Sequence, residues 1–570
     1  MTDIIAGQAL PCLSVPSEKE KKYDRQLRLW AASGQAALES ANVLLVNSGS
    51  GTIGVETLKN LVLPGIGKFT IADDTTVTEA DLGVNFFLDE SSLGKSRAQC
   101  CTELLLELNP EVEGDWHPRN SVSYHRMNHI KELMCQLQEQ ETLELGEVLG
   151  SDSPFTIILY ALPIRPEHLN ALESYSRERK TPLIAIHSAG FYAYFRLRLP
   201  GVYPIVDTHP DATATTDLRL LTPWEELTAF AENMTKDIDG LDNHEHGHLP
   251  FVVILLHYLK VWRSTHADVP PTNYKEKVEF RKMVANAARV DNAEGGEENF
   301  EEAVAAVLKT ISQPSLPSAV KQVFEYQHTN ELESTSSFWV IAAAVRSFYE
   351  KHKCLPLPGG LPDMKAQSSV YIKLQNIYKD KARKDAAEVL SIVRQNPCGE
   401  SVDPAEVDMF CKNAAFIKLI IPATDGDGQL RSVARKYSTV VYFRGATAEP
   451  LTEQEFANDE LAKDPSMPMP LSLLPIYLAL HATSHTSSAT PDAIMASVQK
   501  ILPDADGNKR VIEAAHEVSR ARGGELHNVS ATAGGMVAQE TIKIITNQYI
   551  PIENTCIFDG IGSRTQVLRF

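Results

Sequence analysis

Three glycines with the spacing Gly49-x-Gly51-x-x-Gly54 follow a short apolar run and precede a segment with helical periodicity. This spacing fits the dinucleotide-binding motif, in which glycine lets the backbone approach a phosphate at the start of a helix. Asp73 follows the next apolar run and is of the residue type that binds ribose hydroxyls in such sites. The same glycines are also needed in a tight strand-to-helix turn. These residues leave three interpretations open: a site for NAD, a site for ATP, or a turn without a ligand.

A second candidate for chemistry is the run NHEHGHLP, which places His244, His246 and His248 at alternate positions. Imidazole nitrogens bind zinc, but no acid or thiol stands in register with these three to complete a site. The run TDGDGQ (residues 424–429) lacks the third ligand position and the closing Glu of a calcium-binding loop. We therefore expect no metal site in either run.

The composition disfavours several classes of partner. The 570 residues include 54 basic and 74 acidic side chains, and the resulting net charge of −20 disfavours binding to nucleic acid. The longest apolar stretch is interrupted by His257 and Lys260, so we expect no membrane span. The first residues lack the pattern of a secretory signal, and the 8 cysteines form no C-x-x-C pair. These features predict an intracellular protein.

Short apolar runs alternate with helical segments over residues 41–190, which is typical of a parallel, doubly wound α/β sheet. Over residues 225–394 the periodicity is almost entirely helical, and an apolar helix and a strand then close the chain. The sequence thus predicts a discontinuous α/β domain interrupted by a large, mainly helical insertion. We place its parts at residues 1–210, 211–515 and 516–570. The predicted strands are residues 42–46, 68–73, 156–161, 182–188 and 554–560.

Three segments together resemble the ubiquitin-activating enzyme superfamily. They are KYDRQLRLWAASGQAALESANVLLV (residues 22–46), LKNLVLPGIGKFTIAD (residues 58–73) and GGMVAQETIKIIT (residues 534–546). The resemblance implies a Rossmann-like adenylation fold that works as one of a pair. In that superfamily one half binds ATP and adenylates the C-terminal glycine of a ubiquitin-like protein, and the other half supports it.

The resemblance also indicates which half this chain is. Active halves carry an Asn-x-Asn-Arg-Gln stretch, a lysine in a Gly-x-x-Lys-Ala element and a metal-binding acid after a later strand. Here Phe86 and Phe87 stand in place of the Arg-Gln pair, although Asn85 is kept, and Arg97 replaces the lysine. Residues 159–168 offer no acid for the metal. The resemblance therefore implies a supporting half that binds no cofactor itself, with a vestigial glycine loop and with ATP and Mg²⁺ on the partner.

In such pairs the N-terminal arm of the supporting half lends an arginine to the ATP bound by its partner. The resemblance places Arg25 of KYDRQLRLW at that position. The alternative is that Arg25 and Arg28 only form ion pairs on the surface of an amphipathic helix.

The insertion lacks the nucleophile of a complete activating enzyme, which is a cysteine followed by threonine. Cys354, Cys398 and Cys411 do not have that pattern, so we interpret them as structural. A supporting half with a large insertion of this kind resembles the regulatory subunits of the neddylation activating enzymes, most clearly in the long helix region of residues 361–389.

In this helix region we predict contacts with a partner at four positions. They are Tyr371, Lys373, Leu374 and Gln375. Leu374 also belongs to an apolar stripe with Val370, Ile377 and Tyr378, for which packing within the insertion is the alternative.

The resemblance implies a regulatory subunit of the cytoplasm and nucleus, inactive alone. Its catalytic partner would adenylate the modifier of the neddylation pathway and carry it as a thioester, and cullins would be the final targets. Two alternatives remain open. One is a self-sufficient adenylating or NAD-dependent enzyme that uses the glycine loop, and the other is a scaffold that uses the helical insertion alone.

Overall fold

The computed structural model describes residues 17–119, 143–211, 217–290, 296–312, 315–328, 333–421, 470–486, 488–503 and 505–569. They form two compact units: the first contains the chain up to Tyr203 and again from Ile420, and the second is Pro204–Leu419. The run TDGDGQ lies outside the described residues. Within these ranges no helix is long and apolar enough to cross a membrane.

The first unit contains an eight-stranded sheet and the helices around it. Before the second unit its strands are β1 (Asn42–Val46), β2 (Lys68–Ala72), β3 (Glu113–His117), β4 (Ile157–Ala161), β5 (Leu183–Ala189) and β6 (Tyr192–Arg198). Its helices there are α1 (Glu18–Lys22), α2 (Asp24–Glu39), α3 (Thr52–Val62), α4 (Glu79–Leu82), α5 (Arg97–Leu108), α6 (Leu145–Leu149) and α7 (Pro166–Arg179).

The second unit is mainly helical, and a small sheet of two strands, β7 (Tyr203–Val206) and β8 (Ile417–Ile420), lies where the chain enters and leaves it. Its helices are α8 (Glu225–Met234), α9 (Asn243–His246), α10 (Phe251–Thr265), α11 (Tyr274–Asn286), α12 (Glu298–Thr310), α13 (Ser318–Glu325), α14 (Ser337–His352), α15 (Ser368–Val393) and α16 (Pro404–Lys412). The first unit then resumes with α17 (Leu474–His481), α18 (Pro491–Gln499), α19 (Lys509–Ala521), α20 (His527–Thr546), β9 (Thr555–Asp559) and β10 (Arg564–Leu568).

The large sheet has the strand order β10-β9-β6-β5-β4-β1-β2-β3. β1 pairs in parallel with β2 and β4, and β3 and β5 continue the parallel part on either side. Alternate residues of β1 enter separate cores, with Val43 and Leu45 on one face and Leu44 and Val46 on the other. The predicted doubly wound α/β fold is confirmed, and β6, β9 and β10 add an antiparallel edge.

The predicted end of the insertion at residue 515 is wrong, because the second unit ends at Leu419. α17 and α19 pack on the outer strands of the large sheet, where the rings of Tyr477 in α17 and Tyr194 in β6 meet edge-on with centroids 5.0 Å apart. Apolar periodicity identifies a helix but carries no information about which core its apolar face enters.

α2 consists of two helical segments joined at a break. Ala31 has φ 56° and ψ −176°, a conformation that glycine favours and that costs another residue about 1–3 kcal/mol. The buried Trp30 folds back over Gly34, where a Cβ atom would lie only 2.6 Å from that of Trp30. The break therefore sets the direction of residues 24–29, which carry Arg25, independently of the rest of the helix.

The long helix α15 directs its apolar stripe into the core of the second unit. Leu374 and Tyr378 are both 0% exposed there, and the Tyr378 hydroxyl donates to the Leu218 oxygen at 2.7 Å. The prediction that Leu374 contacts a partner is wrong, since its side chain is enclosed within its own unit.

Leu374→Ala is expected to lower the free energy of unfolding by about 2–5 kcal/mol, because it leaves a cavity in a packed core. Ile372 on the same helix is 54% exposed and provides the matched control. Ile372→Ala should change that free energy by less than about 0.5 kcal/mol. Chemical denaturation followed by circular dichroism measures both variants, and equal losses would contradict the burial of Leu374.

Candidate functional site

The glycine loop turns from β1 into α3 around the side chain of Asn47. Gly49 and Gly51 have φ of 59° and 66°, in the left-handed region that glycine adopts without strain. The amide of Asn47 fills the inside of the turn, so Cβ atoms at Gly51 and Gly54 would collide with it. The space that these glycines leave is used by a side chain of the protein itself.

The guanidinium of Arg97, at the start of α5, is buried against this loop and is 3% exposed. Its Nε donates to Asp73 at 2.7 Å and its Nη1 to Asp81 at 3.0 Å. Nη1 also donates to the backbone oxygens of Gly49 and Ser50 at 2.8 and 3.1 Å. Burial alone would lower the pKa of Arg97, but the two carboxylates outweigh it and the pKa is raised. One cation thus joins the loop to two acids.

Asp73, which an NAD site would use on a ribose, has both carboxylate oxygens engaged by the protein. Oδ2 accepts from Arg97 and, at 3.0 Å, from the amide of Asn47. Oδ1 accepts from the backbone and hydroxyl of Thr75 at 3.1 and 2.5 Å. Burial acts to raise the pKa of Asp73, but Arg97 and Thr75 outweigh it and hold the pKa below its usual value. Asp73 is therefore an ionised partner of Arg97.

The N-terminus of α3 is capped by Glu525, a residue distant in sequence. Gly51 occupies the N-cap position and has no side chain to offer, and the amide of Ile53 donates to Glu525 Oε2 at 2.8 Å. The same oxygen accepts from the Ser530 hydroxyl at 2.5 Å. Burial raises the pKa of Glu525, and these hydrogen bonds oppose that rise. A carboxyl group of the protein occupies the place where a helix N-terminus attracts phosphate.

Other positions that would serve ATP in an active half have structural contacts instead. After β4, Arg165 precedes the first residue of α7, and its side chain pairs with Asp74 beyond β2. Asn85 is buried, and its Oδ1 accepts from the Phe87 amide at 3.1 Å. Phe86 is 71% exposed and stacks on a histidine of α20 with ring centroids 3.6 Å apart.

Arg25 projects from the first segment of α2 with an exposed side chain. Among the residues described, none forms a hydrogen bond or ion pair with its guanidinium, whereas Arg28 pairs with Asp24 at 2.9 Å. Within the described residues, the alternative of a surface ion pair therefore applies to Arg28, and the role of Arg25 stays a prediction.

The alternating histidines have separate environments. His246 is buried and its Nδ1 lies 2.8 Å from an oxygen of Glu297, while the rings of His244 and His248 stack with centroids 4.3 Å apart. In the described part of the chain, no three His, Cys, Asp or Glu side chains are grouped as metal ligands.

The cysteines of the second unit differ in burial. Burial raises the pKa of Cys354 and raises that of Cys411 to about 12, so both favour the unreactive thiol form. Cys398 is half-buried in a short turn in which its amide donates to Asn396 at 2.9 Å.

The other predicted partner contacts of α15 differ in exposure, and Tyr371 also packs against the core of the second unit. Lys373 is exposed, Tyr371 is half-buried with its hydroxyl 3.5 Å from the Pro362 oxygen, and Gln375 accepts from Lys379 at 2.9 Å. Contact of a partner with Tyr371, Lys373 and Gln375 stays a prediction.

Sequence reasoning did not identify Asp81 and Glu525 as parts of this site. The pattern Thr78-x-x-Asp81 is a capping box that marks the start of α4, but it gives no sign of the contact with Arg97. Glu525 lies 472 residues from Ile53 and has no local pattern that links it to the loop.

Residues 23–570 match the ThiF family. The NEDD8-activating enzyme E1 regulatory subunit of Danio rerio is 35% identical, and the match covers 96% of this chain and 98% of that protein. The Nedd8-activating enzyme E1 regulatory subunit of Drosophila melanogaster is 34% identical, covering 97% and 98% of the two chains. The crystal structure of E. coli MccB with ATP is 20% identical over 33% of this chain and 51% of that chain, with a TM-score of only 0.25. This chain belongs to the ThiF family and, within it, to the family of the NEDD8-activating enzyme E1 regulatory subunits.

Arg97→Met is expected to lower the free energy of unfolding at pH 8 by about 3–5 kcal/mol, because it leaves buried carboxylates without their cation. The lowered pKa of Asp73 stabilises the native protein above the pKa of the unfolded state, and this contribution disappears as the pH falls. Without Arg97, burial raises the pKa of Asp73, so protonation stabilises the variant. The loss should therefore be smaller at pH 5 than at pH 8.

Denaturant unfolding at the two pH values tests this expectation. Arg28→Ala, which removes an exposed ion pair, is the control and should cost about 0–1 kcal/mol. A loss for Arg97→Met that matched the control, or that did not change with pH, would contradict the role of this cation.

Proposed function

We propose that this chain is the regulatory, non-catalytic half of a heterodimeric enzyme that activates NEDD8. Its partner chain binds ATP and Mg²⁺, adenylates the C-terminus of the modifier and carries it as a thioester for transfer towards cullins. The similarity of nearly the whole chain to relatives named as regulatory subunits supports this proposal.

The observation that carries the proposal is the engagement of Arg97. Adenylation needs cations directed at phosphates, because negative charge develops on the α-phosphate as the acyl oxygen attacks. The guanidinium at this position is instead neutralised by Asp73 and Asp81 and bound to the loop carbonyls. A nucleotide at the loop would have to displace buried, charge-assisted hydrogen bonds, so we assign nucleotide binding to the partner chain.

Engagement of binding groups by the protein itself also argues against a self-sufficient enzyme. An NAD site would use the carboxylate of Asp73 on a ribose and the N-terminus of α3 on a pyrophosphate. The Asp73 carboxylate is bound to Arg97 and Asn47. The N-terminus of α3 is bound to Glu525. Both groups that such an enzyme needs are occupied by the protein.

Arg25 provides the direct contribution of this chain to the chemistry. Its guanidinium is exposed and carries no partner within the described residues, so it is available to the ATP phosphates on the other chain. A guanidinium can donate two parallel hydrogen bonds to a phosphate, a geometry that an ammonium group does not reproduce.

Modifier-dependent exchange of pyrophosphate into ATP tests the division of labour. The purified chain alone should show no exchange, the reconstituted heterodimer should show it, and the Arg97→Met variant of this chain should support exchange once folded and assembled. Exchange by the isolated chain would refute the proposal and favour the self-sufficient enzyme.

Arg25→Ala is expected to leave the heterodimer assembled and to reduce ATP-dependent turnover about 10- to 100-fold, since one charge-assisted phosphate contact contributes about 1.5–3 kcal/mol. Arg25→Lys should recover part of that loss. Arg28→Ala on the same segment is the matched control and should turn over normally. Wild-type rates for Arg25→Ala at limiting ATP would exclude the contact.

A further inference from the structure

The strained break in α2 is coupled to the segment that follows α20. A helix that ends at Leu29 leaves backbone oxygens without their intrahelical donors, and such groups need other partners when buried. The hydroxyl of Tyr549 donates to the Leu29 oxygen at 3.1 Å, and the amide of Gln548 donates to the Trp30 oxygen at 3.1 Å. Consecutive residues that are distant in sequence therefore donate to both oxygens at the break, in a buried hydrogen bond at Trp30 and an exposed one at Leu29.

The break is fixed from the inside as well. The indole nitrogen of Trp30 donates to Gln35 at 3.1 Å, and the Gln35 amide donates in turn to the Pro64 oxygen at 3.0 Å. A non-glycine residue persists in the conformation of Ala31 only when the surrounding contacts determine it, and such outliers concentrate at functional positions.

The other end of the same segment has its own anchor. Tyr23 is 2% exposed, and its hydroxyl donates to Glu111 at 3.0 Å and accepts from Asn109 at 3.1 Å. Two buried aromatic rings, Tyr23 and Trp30, thus bracket a short exposed stretch whose guanidinium at Arg25 has no partner in the described part of the chain.

We propose that Gln548 and Tyr549 are positioning residues that hold the break at Trp30 and Ala31 and thereby aim Arg25 at its target. This inference rests on the proposed function, because the target is the ATP phosphate group on the partner chain. The break turns residues 24–29 away from the direction of the second half of α2, and the two hydrogen bonds from residues 548 and 549 oppose its straightening into a continuous helix.

The test is a double-mutant cycle in the reconstituted heterodimer. Gln548→Ala combined with Tyr549→Phe should raise the KM for ATP in pyrophosphate exchange about 3- to 10-fold, the effect of losing neutral hydrogen bonds. Affinity for the partner should not change. In the Arg25→Ala background the same pair of substitutions should have no further effect on KM, because the group that they aim is already absent.

Tyr175→Phe is the matched control, since the Tyr175 hydroxyl also bonds to a backbone group, the Phe155 amide at 3.0 Å, away from the arm. It should leave the KM for ATP unchanged. Ala31→Gly should raise the melting temperature, because glycine adopts the conformation of the break without strain.

Three results would overturn the proposal. In the first, Arg25→Ala raises the KM for ATP while the substitutions at 548 and 549 do not, and the proposed function then stands without it. In the second, the substitutions at 548 and 549 raise the KM for ATP by the same factor with and without Arg25→Ala, as expected if their role is purely structural. In the third, Arg25→Ala has no effect, and the proposed contact with ATP fails together with its positioning.

Discussion

A buried guanidinium is the constraint on which the carboxyl edge of the sheet depends. A buried guanidinium needs carboxylate partners, and those of Arg97 are Asp73 at the end of β2 and Asp81 in α4. The remaining hydrogen bonds of its Nη1 hold the carbonyls of the glycine loop. Four segments that are separate in sequence are therefore held together by one charge.

The same constraint explains how a nucleotide-binding fold can persist in a chain proposed to bind no nucleotide. The loop keeps its glycines because Asn47 occupies the inside of the turn, and the helix N-terminus keeps its partner because Glu525 replaces a phosphate. Arg97 and Arg25 differ in burial and in the role that each is given. Arg97 is buried and stabilises this edge, while Arg25 is exposed and is the residue proposed to reach the partner chain.

The parallel strands β1, β2, β4 and β5 were predictable from sequence because each is a short, mainly apolar run, as in NVLLV of β1. The strands β3, β6 and β10 were not predicted, since EGDWH is mostly polar and YAYFRLR and RTQVL mix charged and apolar residues. The apolar stripe of α15 was found, but the sequence alone could not decide whether Leu374 faced a partner or its own core. The identity of Arg97 was visible as a departure from the family, whereas its partner Asp81 and the cap Glu525 depend on contacts that only the folded chain brings together.

The cap on α3 joins residues near the two ends of the chain, and this has a consequence for how the protein is made. At about 5–20 residues per second on the ribosome, the 472 positions between Ile53 and Glu525 take roughly 25–95 s to translate. By the end of that interval the uninterrupted second unit, Pro204–Leu419, has been synthesised, whereas the first unit still lacks β9 and β10 and one edge of its sheet is open. The order of synthesis thus favours completion of the inserted unit first and leaves the edge of the nascent sheet unpaired until the last strands are made.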